Sequence, residues 1–289
     1  MSKLPGMLLI GLCLTLAGVS RAAENAPPPL PDWQVLEFEE KAFWATARSR
    51  LEILPVSDDK KPGDKKPDGK ELWELTVLSS VVDNSEQIVV RFDPATGRAV
   101  KRSRLSRGKE QRFKSWQYEA NFILRERRNP GTDTRVPPQD WPISNSGQVP
   151  YPAAAKDFAL TEPNLLFLLA QRLQAQGTDK SMDVLVQTDL NFYRVRLTSG
   201  NGIPINVNYA VTGQGAITGQ RETLAVALQV TPEGTLAEKA DFSLLGLQGD
   251  IILFFDRDSG LLLQVRGVAP RIGATAINLK STTMRESRQ

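Results

Sequence analysis

The chain has no histidine among its 289 residues and a single cysteine, Cys13. Without histidine there is no side chain whose ordinary pKa lies near neutrality, and the commonest metal ligand is missing. That excludes Ser-His-Asp triads, histidine-rich zinc sites and haem held through histidine. No G-x-S-x-G, P-loop, zinc or dinucleotide signature is present, and no cofactor is implied. Two S-x-x-K matches, Ser57–Lys60 and Ser106–Lys109, lie in a charged loop and a basic turn. Neither sits at the helix start that a serine nucleophile of that type requires, so both are read as chance.

Long apolar runs are also scarce. The longest, Met7 to Val19, follows Lys3 and ends before Ser20-Arg21-Ala22. It is too short to span a bilayer as a helix but has the length, flanks and small residues of a secretory signal peptide, with cleavage expected before Ala23. Cys13 follows Leu12 rather than a small residue, and the apolar run continues past it. It is therefore read as part of the leader and not as a lipid attachment site. The expected location is the periplasm.

After residues 1–22, the Pro-rich stretch 23–32 reads as an extended lead-in. Residues 33–289 read as one β-rich domain. Within it, "SDDKKPGDKKPDGK" (57–70) is low-complexity and charged, and is expected to form a mobile loop between two strands.

Period-two patterning dominates the rest. Trp116, Tyr118, Ala120, Phe122 and Leu124 alternate with polar residues, as do Tyr193, Val195 and Leu197 and the row Leu224, Val226, Leu228 and Val230. This predicts antiparallel sheet with one wet face. One segment is helical in pattern, 161–177, with Thr161 placed to cap it, Pro163 in the first turn and Gly177 at the end. The proline-bearing stretch 129–152 reads as a long connection.

Asp256 and Asp258, in "FFDRDSG", pose the question of a metal site. A calcium loop needs further oxygen ligands at alternate positions and a glutamate at its twelfth. Gly260 and Gly267 stand at the fifth and twelfth positions instead. The segment Phe92-Asp93-Pro94-Ala95-Thr96-Gly97 repeats the pattern without the second acid. Both are read as reversals in which Asp accepts backbone N–H bonds and Gly takes positive φ.

The net charge of +3 hides a segregation, because residues 98–128 hold eleven basic and three acidic side chains. Arg102 and Arg104 share one strand parity, and Lys101 and Arg107 the other, which predicts an exposed basic hairpin. A solvated sheet face is the ordinary explanation of such a run. The functional one is anion contact through Arg102, Arg104, Lys109, Arg112 and Lys114. Envelope lipid, lipopolysaccharide, glycan or a protein partner would supply the anion, and export argues against nucleic acid. Apolar rows could line a lipid pocket or simply fill a core; periodicity does not distinguish the two.

The run "GDIILFFDRDSGLLLQVRGVAPRIGATAINLKS" resembles the closing strands of the DUF3108 family of exported bacterial proteins, including the glycine-containing Ile272-Gly273. "VVRFDPATGRAVKRSRLSRGKEQRFKSWQYEANFILRERR" is similar to that family's mid-domain hairpins, and "LEFEEKAFWATARSRLEI" to its opening strand pair. The resemblance spans about residues 33–285. Leu253-Phe254-Phe255 replaces the family's late tryptophan, and 57–70 reads as an insertion. It implies a mainly β protein: a strongly curved antiparallel sheet, β-roll or open barrel, with one central α-helix. It implies no catalytic residues.

The functional expectation is a non-catalytic envelope module that binds an anionic or amphiphilic ligand or a protein partner. The alternative is a carboxylate-dependent glycan hydrolase, which needs two acids facing one cleft with one titrating abnormally. A structural assembly factor without a pocket is the third.

Overall fold

In the computed structural model of the chain, the described residues are 31–42, 45–56, 71–133, 135–237, 239–270 and 272–285. The expected signal peptide, nearly all of the Pro-rich lead-in and the charged loop 57–70 lie outside them.

Alternating apolar and polar residues fold as predicted, into one large curved sheet. The strands are β1 (Trp33–Ala42), β2 (Ala45–Pro55), β3 (Trp73–Val81), β4 (Asn84–Asp93), β5 (Arg98–Arg107), β6 (Arg112–Tyr118), β7 (Phe122–Arg128), β8 (Ile143–Pro150) and β9 (Leu160–Thr161). Helix α1 (Leu166–Ala175) follows. After it come β10 (Ser181–Gln187), β11 (Phe192–Asn201), β12 (Ile205–Val211), β13 (Gly215–Arg221), β14 (Thr223–Pro232), β15 (Gln248–Asp256), β16 (Leu262–Ala269) and β17 (Gly273–Met284).

β1 to β8 form an antiparallel meander. β17 pairs with β1, and the ladder continues through β16, β15, β14, β11 and β10. The short β9 adds parallel to β10. The β12–β13 hairpin leaves the sheet between β11 and β14, and β12 pairs briefly and in parallel with β17. The result is an open β-barrel-like sheet around α1, the one α-helix among the described residues.

Cross-strand rows show how the core forms. Leu36 faces Leu51, which faces Val77; Ile53 faces Leu75, which faces Val90; Trp73 faces Phe92. These side chains turn inward and bury against Leu166, Leu169 and Leu173 of α1. The helix is buried around most of its circumference, as a core element should be.

The helix sits at one rim of the sheet, the rim that carries both Asp-x-x-x-Gly turns. Gly97 donates its N–H to Asp93 O at 2.9 Å, and Gly260 donates to Asp256 O at 2.8 Å. Their φ values are +70° and +67°. Asp93 Oδ1 accepts from Ala95 N at 2.8 Å, and Asp256 Oδ1 from Asp258 N at 2.8 Å and Ser259 N at 3.1 Å. Oδ1 of Asp256 is thus taken up by its own turn, its Oδ2 lies 3.9 Å from Arg221 Nε, and Asp258 points to solvent.

Three expectations need correction. The row from Trp116 to Leu124 is two strands. The chain reverses at Glu119–Asn121, with Glu119 N donating to Phe122 O at 3.0 Å, and Ile123 becomes the inward residue opposite Tyr118. Glu119 and Asn121 fall on the polar parity of the strand, so alternation runs unbroken through the turn. The connection 129–152 holds the edge strand β8, which pairs with β7 through its backbone, with Ser144 Oγ donating to Arg127 O at 3.1 Å and Asn145 Oδ1 accepting from Arg125 Nη1 at 3.2 Å. Finally, Thr161 is not the helix cap: its hydroxyl donates to Gly97 O at 2.9 Å. Glu162 caps a 3-10 turn (Pro163–Leu165) that leads into α1, accepting from Leu165 N at 2.9 Å. A buried carboxylate satisfies the free N–H there as well as a hydroxyl would.

A polar cleft at the open end of the barrel

The inner face of the sheet changes character along its strands. Toward the helix it is apolar. Toward the other rim, inward positions become Ser49 on β2, Ser79 on β3, Glu86 on β4, and Arg102, Arg104 and Ser106 on β5. These residues line a cleft of about 650 Å³, closed from beneath by Glu162 and Asn164 and from the side by Thr188, Asp189 and Asp241.

The register sets the charge pattern. Arg104 stands opposite Lys114 on β6, and Lys114 stands opposite Arg127 on β7. Directly opposed residues of adjacent strands share a face, and like charges so placed repel. In the neighbouring row Arg102 stands opposite Trp116, and Trp116 opposite Arg125. Most of the basic segment is therefore gathered on the concave side.

Four carboxylates answer this charge. Arg104 pairs with Glu86. Arg112 Nη2 lies 3.0 Å from Glu110. Lys114 pairs with Asp189, and Arg125 Nε donates to the same carboxylate at 2.6 Å. Arg102 Nη1 lies 3.9 Å from Glu162. Arg127 has no carboxylate partner among the described residues, and its Nε, like that of Arg112, is buried without a hydrogen bond.

The expected exposed basic hairpin does not hold for Arg102 or Lys114. Arg102 is 6% exposed. Its guanidinium lies 3.8 Å from the Trp116 ring centroid and donates to the carbonyls of Gln187, at 3.1 Å, and Thr188. Strand parity placed it inside, where a planar cation can stack and bond at once. Lys114 is shielded by Asp189. Arg104 is inward but open to the cleft, Arg112 half-buried, and Lys109 exposed at the β5–β6 turn.

Asp189 is the hub that pattern reading missed. It lies in the β10–β11 turn, which docks on β5–β7 through side chains rather than a ladder. Trp116 Nε1 donates to Asp189 O at 3.1 Å, and Tyr118 OH to Gln187 Oε1 at 2.9 Å. Burial pushes the Asp189 carboxyl up, but the hydrogen bonds from Arg125 and Lys114 outweigh it and hold it at about 2. Burial pushes Glu162 the opposite way, above its ordinary value, against the pull of Arg102, Asn164 and Leu165 N. Asp241 accepts from Thr188 Oγ1 at 2.8 Å, Asn191 Nδ2 at 2.9 Å, Tyr193 OH at 3.0 Å and Asp189 N at 3.2 Å. In sequence, Asp189 and Asp241 look like ordinary turn acids. Arg125 and Arg127 become legible only once the reversal at 119–121 is recognised.

Fold and cleft together define a class: an open, barrel-like sheet with a helix closing one rim and a polar, cation-rich cleft opening at the other. No family model matches the chain, and no curated protein matches it in sequence. Among solved structures, the β-barrel-like protein of domain of unknown function DUF1849 from Brucella abortus aligns with a TM-score of 0.44 and 10% identity, over 90% of this chain and 100% of that one.

Proposed function

We propose that this is a non-catalytic periplasmic envelope protein, akin to the DUF3108 proteins, that binds an anionic or amphiphilic ligand in the cleft. The single observation that supports it most is Arg104, which lines the cleft and is open to it. It heads a row of three opposed cations whose last member, Arg127, lies outside the cleft lining and has no carboxylate partner among the described residues. An incoming phosphate or carboxylate beside Arg104 would relieve that repulsion. The export leader read at residues 1–22 belongs to the same reading.

One observation favours the hydrolase alternative: Glu162 and Asp189 line one cleft and titrate in opposite directions. Against it, Glu162 is 0% exposed and held by its capping bonds, and Asp189 and Asp241 are saturated with donors. A general acid or base must reach its substrate.

Titration of the purified protein with inorganic phosphate, followed by Trp fluorescence and calorimetry, tests the binding reading. Binding that weakens tenfold or more in Arg104→Ala and persists in Glu162→Gln supports it. Absence of phosphate binding together with no small anion or lipid co-purifying by mass spectrometry overturns it. Turnover of glycan fragments abolished by Glu162→Gln would install the hydrolase instead.

A further inference from the structure

The sheet is open, and β8 is one of its edges. It pairs with β7 and with no other strand of the described residues. All of its residues are exposed except Val149, which is half-buried. Natural edge strands are blunted by charged side chains, prolines or bulges. Between Asn145 and Val149 there is none of these; the register shift against β7 falls earlier, beside Ser144.

Ladder geometry tells which backbone groups are free. Tyr151 N donates to Asn121 O at 3.5 Å, and the same register pairs Val149 with Ile123 and Gly147 with Arg125. Successive residues of an antiparallel strand point their N–H and C=O groups in opposite directions. Asn145, Gly147 and Val149 therefore turn theirs toward β7, and Ser146 and Gln148 turn theirs away. Such outward groups are a template for one more strand.

Charge selects the strand. Asn145 stands opposite Arg127 and Gly147 opposite Arg125, and Arg125 Nη1 donates to Asn145 Oδ1 at 3.2 Å, which places this row on the concave face. The carboxylates of that face are already committed: Glu86 to Arg104, Asp189 to Lys114 and Arg125, Glu162 to Arg102 and its capping bond, and Asp241 to the β10–β11 turn. Arg127 has no carboxylate partner among the described residues, and its Nε is buried without a hydrogen bond. Elsewhere around the edge Glu126 pairs with Arg128 and Asp133 with Arg135, and Asp140 ends the 3-10 turn Pro138–Asp140, whose Pro138 and Gln139 line a groove with Phe113 on the convex face. On an added strand, the residue opposite Asn145 stands about 10 Å from Arg127, two strand spacings, and an arginine and a glutamate together span that gap. A second copy of this chain is the poorer occupant. Pairing β8 with itself brings Arg127 no carboxylate and sets the cationic rows of the two copies end to end.

We propose that β8 takes up an extended acidic segment of another protein as an added strand, with one carboxylate of that segment on the concave face against Arg127. The proposal stands on the edge and not on the cleft.

The test offers the immobilised full chain a pool of random-sequence heptapeptides, acetylated and amidated, and sequences the captured ones by mass spectrometry. Captured peptides are enriched in Asp or Glu at one set of alternate positions. Ser146→Pro and Gln148→Pro each remove an outward N–H without touching the β7 ladder, and both lose the capture with the thermal midpoint unchanged. For a captured peptide made singly, the Kd from fluorescence anisotropy rises tenfold or more in Arg127→Gln, rises equally when the peptide's acid becomes Gln, and does not rise further when both are changed. N-methylation of the peptide at alternate residues abolishes binding. No capture, capture without acidic enrichment, or capture that survives both prolines and N-methylation overturns the proposal. So does a dimer of the chain in ultracentrifugation that Ser146→Pro dissolves, which would make a second copy the occupant. Phosphate binding in the cleft is unchanged by Ser146→Pro, so the two readings fail separately.

Discussion

The guanidinium of Arg102 stacks on Trp116 at 3.8 Å while its Nη atoms bond the backbone of the β10–β11 turn. One side chain thereby joins the meander to the second half of the sheet, where no ladder does. Arg102→Met should lower the unfolding free energy by about 2–4 kcal/mol in urea titrations, because it strands two buried carbonyls and removes the cation beside Glu162. The same change in a Glu162→Gln background should cost less. Additive costs would show that the pair is not coupled.

Acid stability should depend on Asp189. Its folded pKa, about 2, is below the ordinary 3.8. Its contribution is therefore complete above about pH 4 and is lost as pH falls toward 2. With solvent screening of the partly exposed pair, the loss is on the order of 1–2 kcal/mol. Glu162 acts with the opposite sign. Its raised pKa makes ionisation oppose folding as pH rises through and above 4.5. Denaturation midpoints from pH 2 to 7 should show Asp189→Asn flattening the acid limb.

The two matched turns should respond unequally to a methyl group. At Gly97 an added Cβ would lie 2.7 Å from Leu169 Cδ2, while at Gly260 the nearest atom is Nε2, the far end of the Gln174 side chain, at 3.1 Å. Both substitutions meet positive φ, at about 1–2 kcal/mol. Gly97→Ala should exceed Gly260→Ala by roughly another 1–3 kcal/mol from overpacking against the helix. Equal thermal shifts would refute the close packing of this turn on α1.

Asp256 should behave as a turn residue. Asp256→Ala should cost about 1–2 kcal/mol because two backbone N–H groups lose their shared acceptor, Asp256→Asn less, and Asp258→Ala close to nothing. Calcium or EDTA should leave the thermal midpoint unchanged. A calcium-dependent rise lost in Asp258→Ala would restore the metal reading.

Local chemistry alone determined a good part of this molecule. Tyr193, Val195 and Leu197 are buried while Arg194 and Arg196 face out, because strand geometry converts a period of two into two faces. Asp93 with Gly97 and Asp256 with Gly260 make turns because their side chains and φ preferences act within five residues. The body of α1 and its end at Gly177 were legible for the same reason.

Tertiary structure decided the rest. Parity shows that Arg102 and Arg104 share a face, but only the closure of the sheet decides which face is inside. The reversal at 119–121 leaves no local mark, and β8 joins the sheet by pairing with β7 without an apolar row of its own. Asp189 gains its role from Lys114 and Arg125, which lie 75 and 64 residues away. A cleft is a relation between distant segments, set by how a twisted sheet curls around α1, and no short-range preference encodes it.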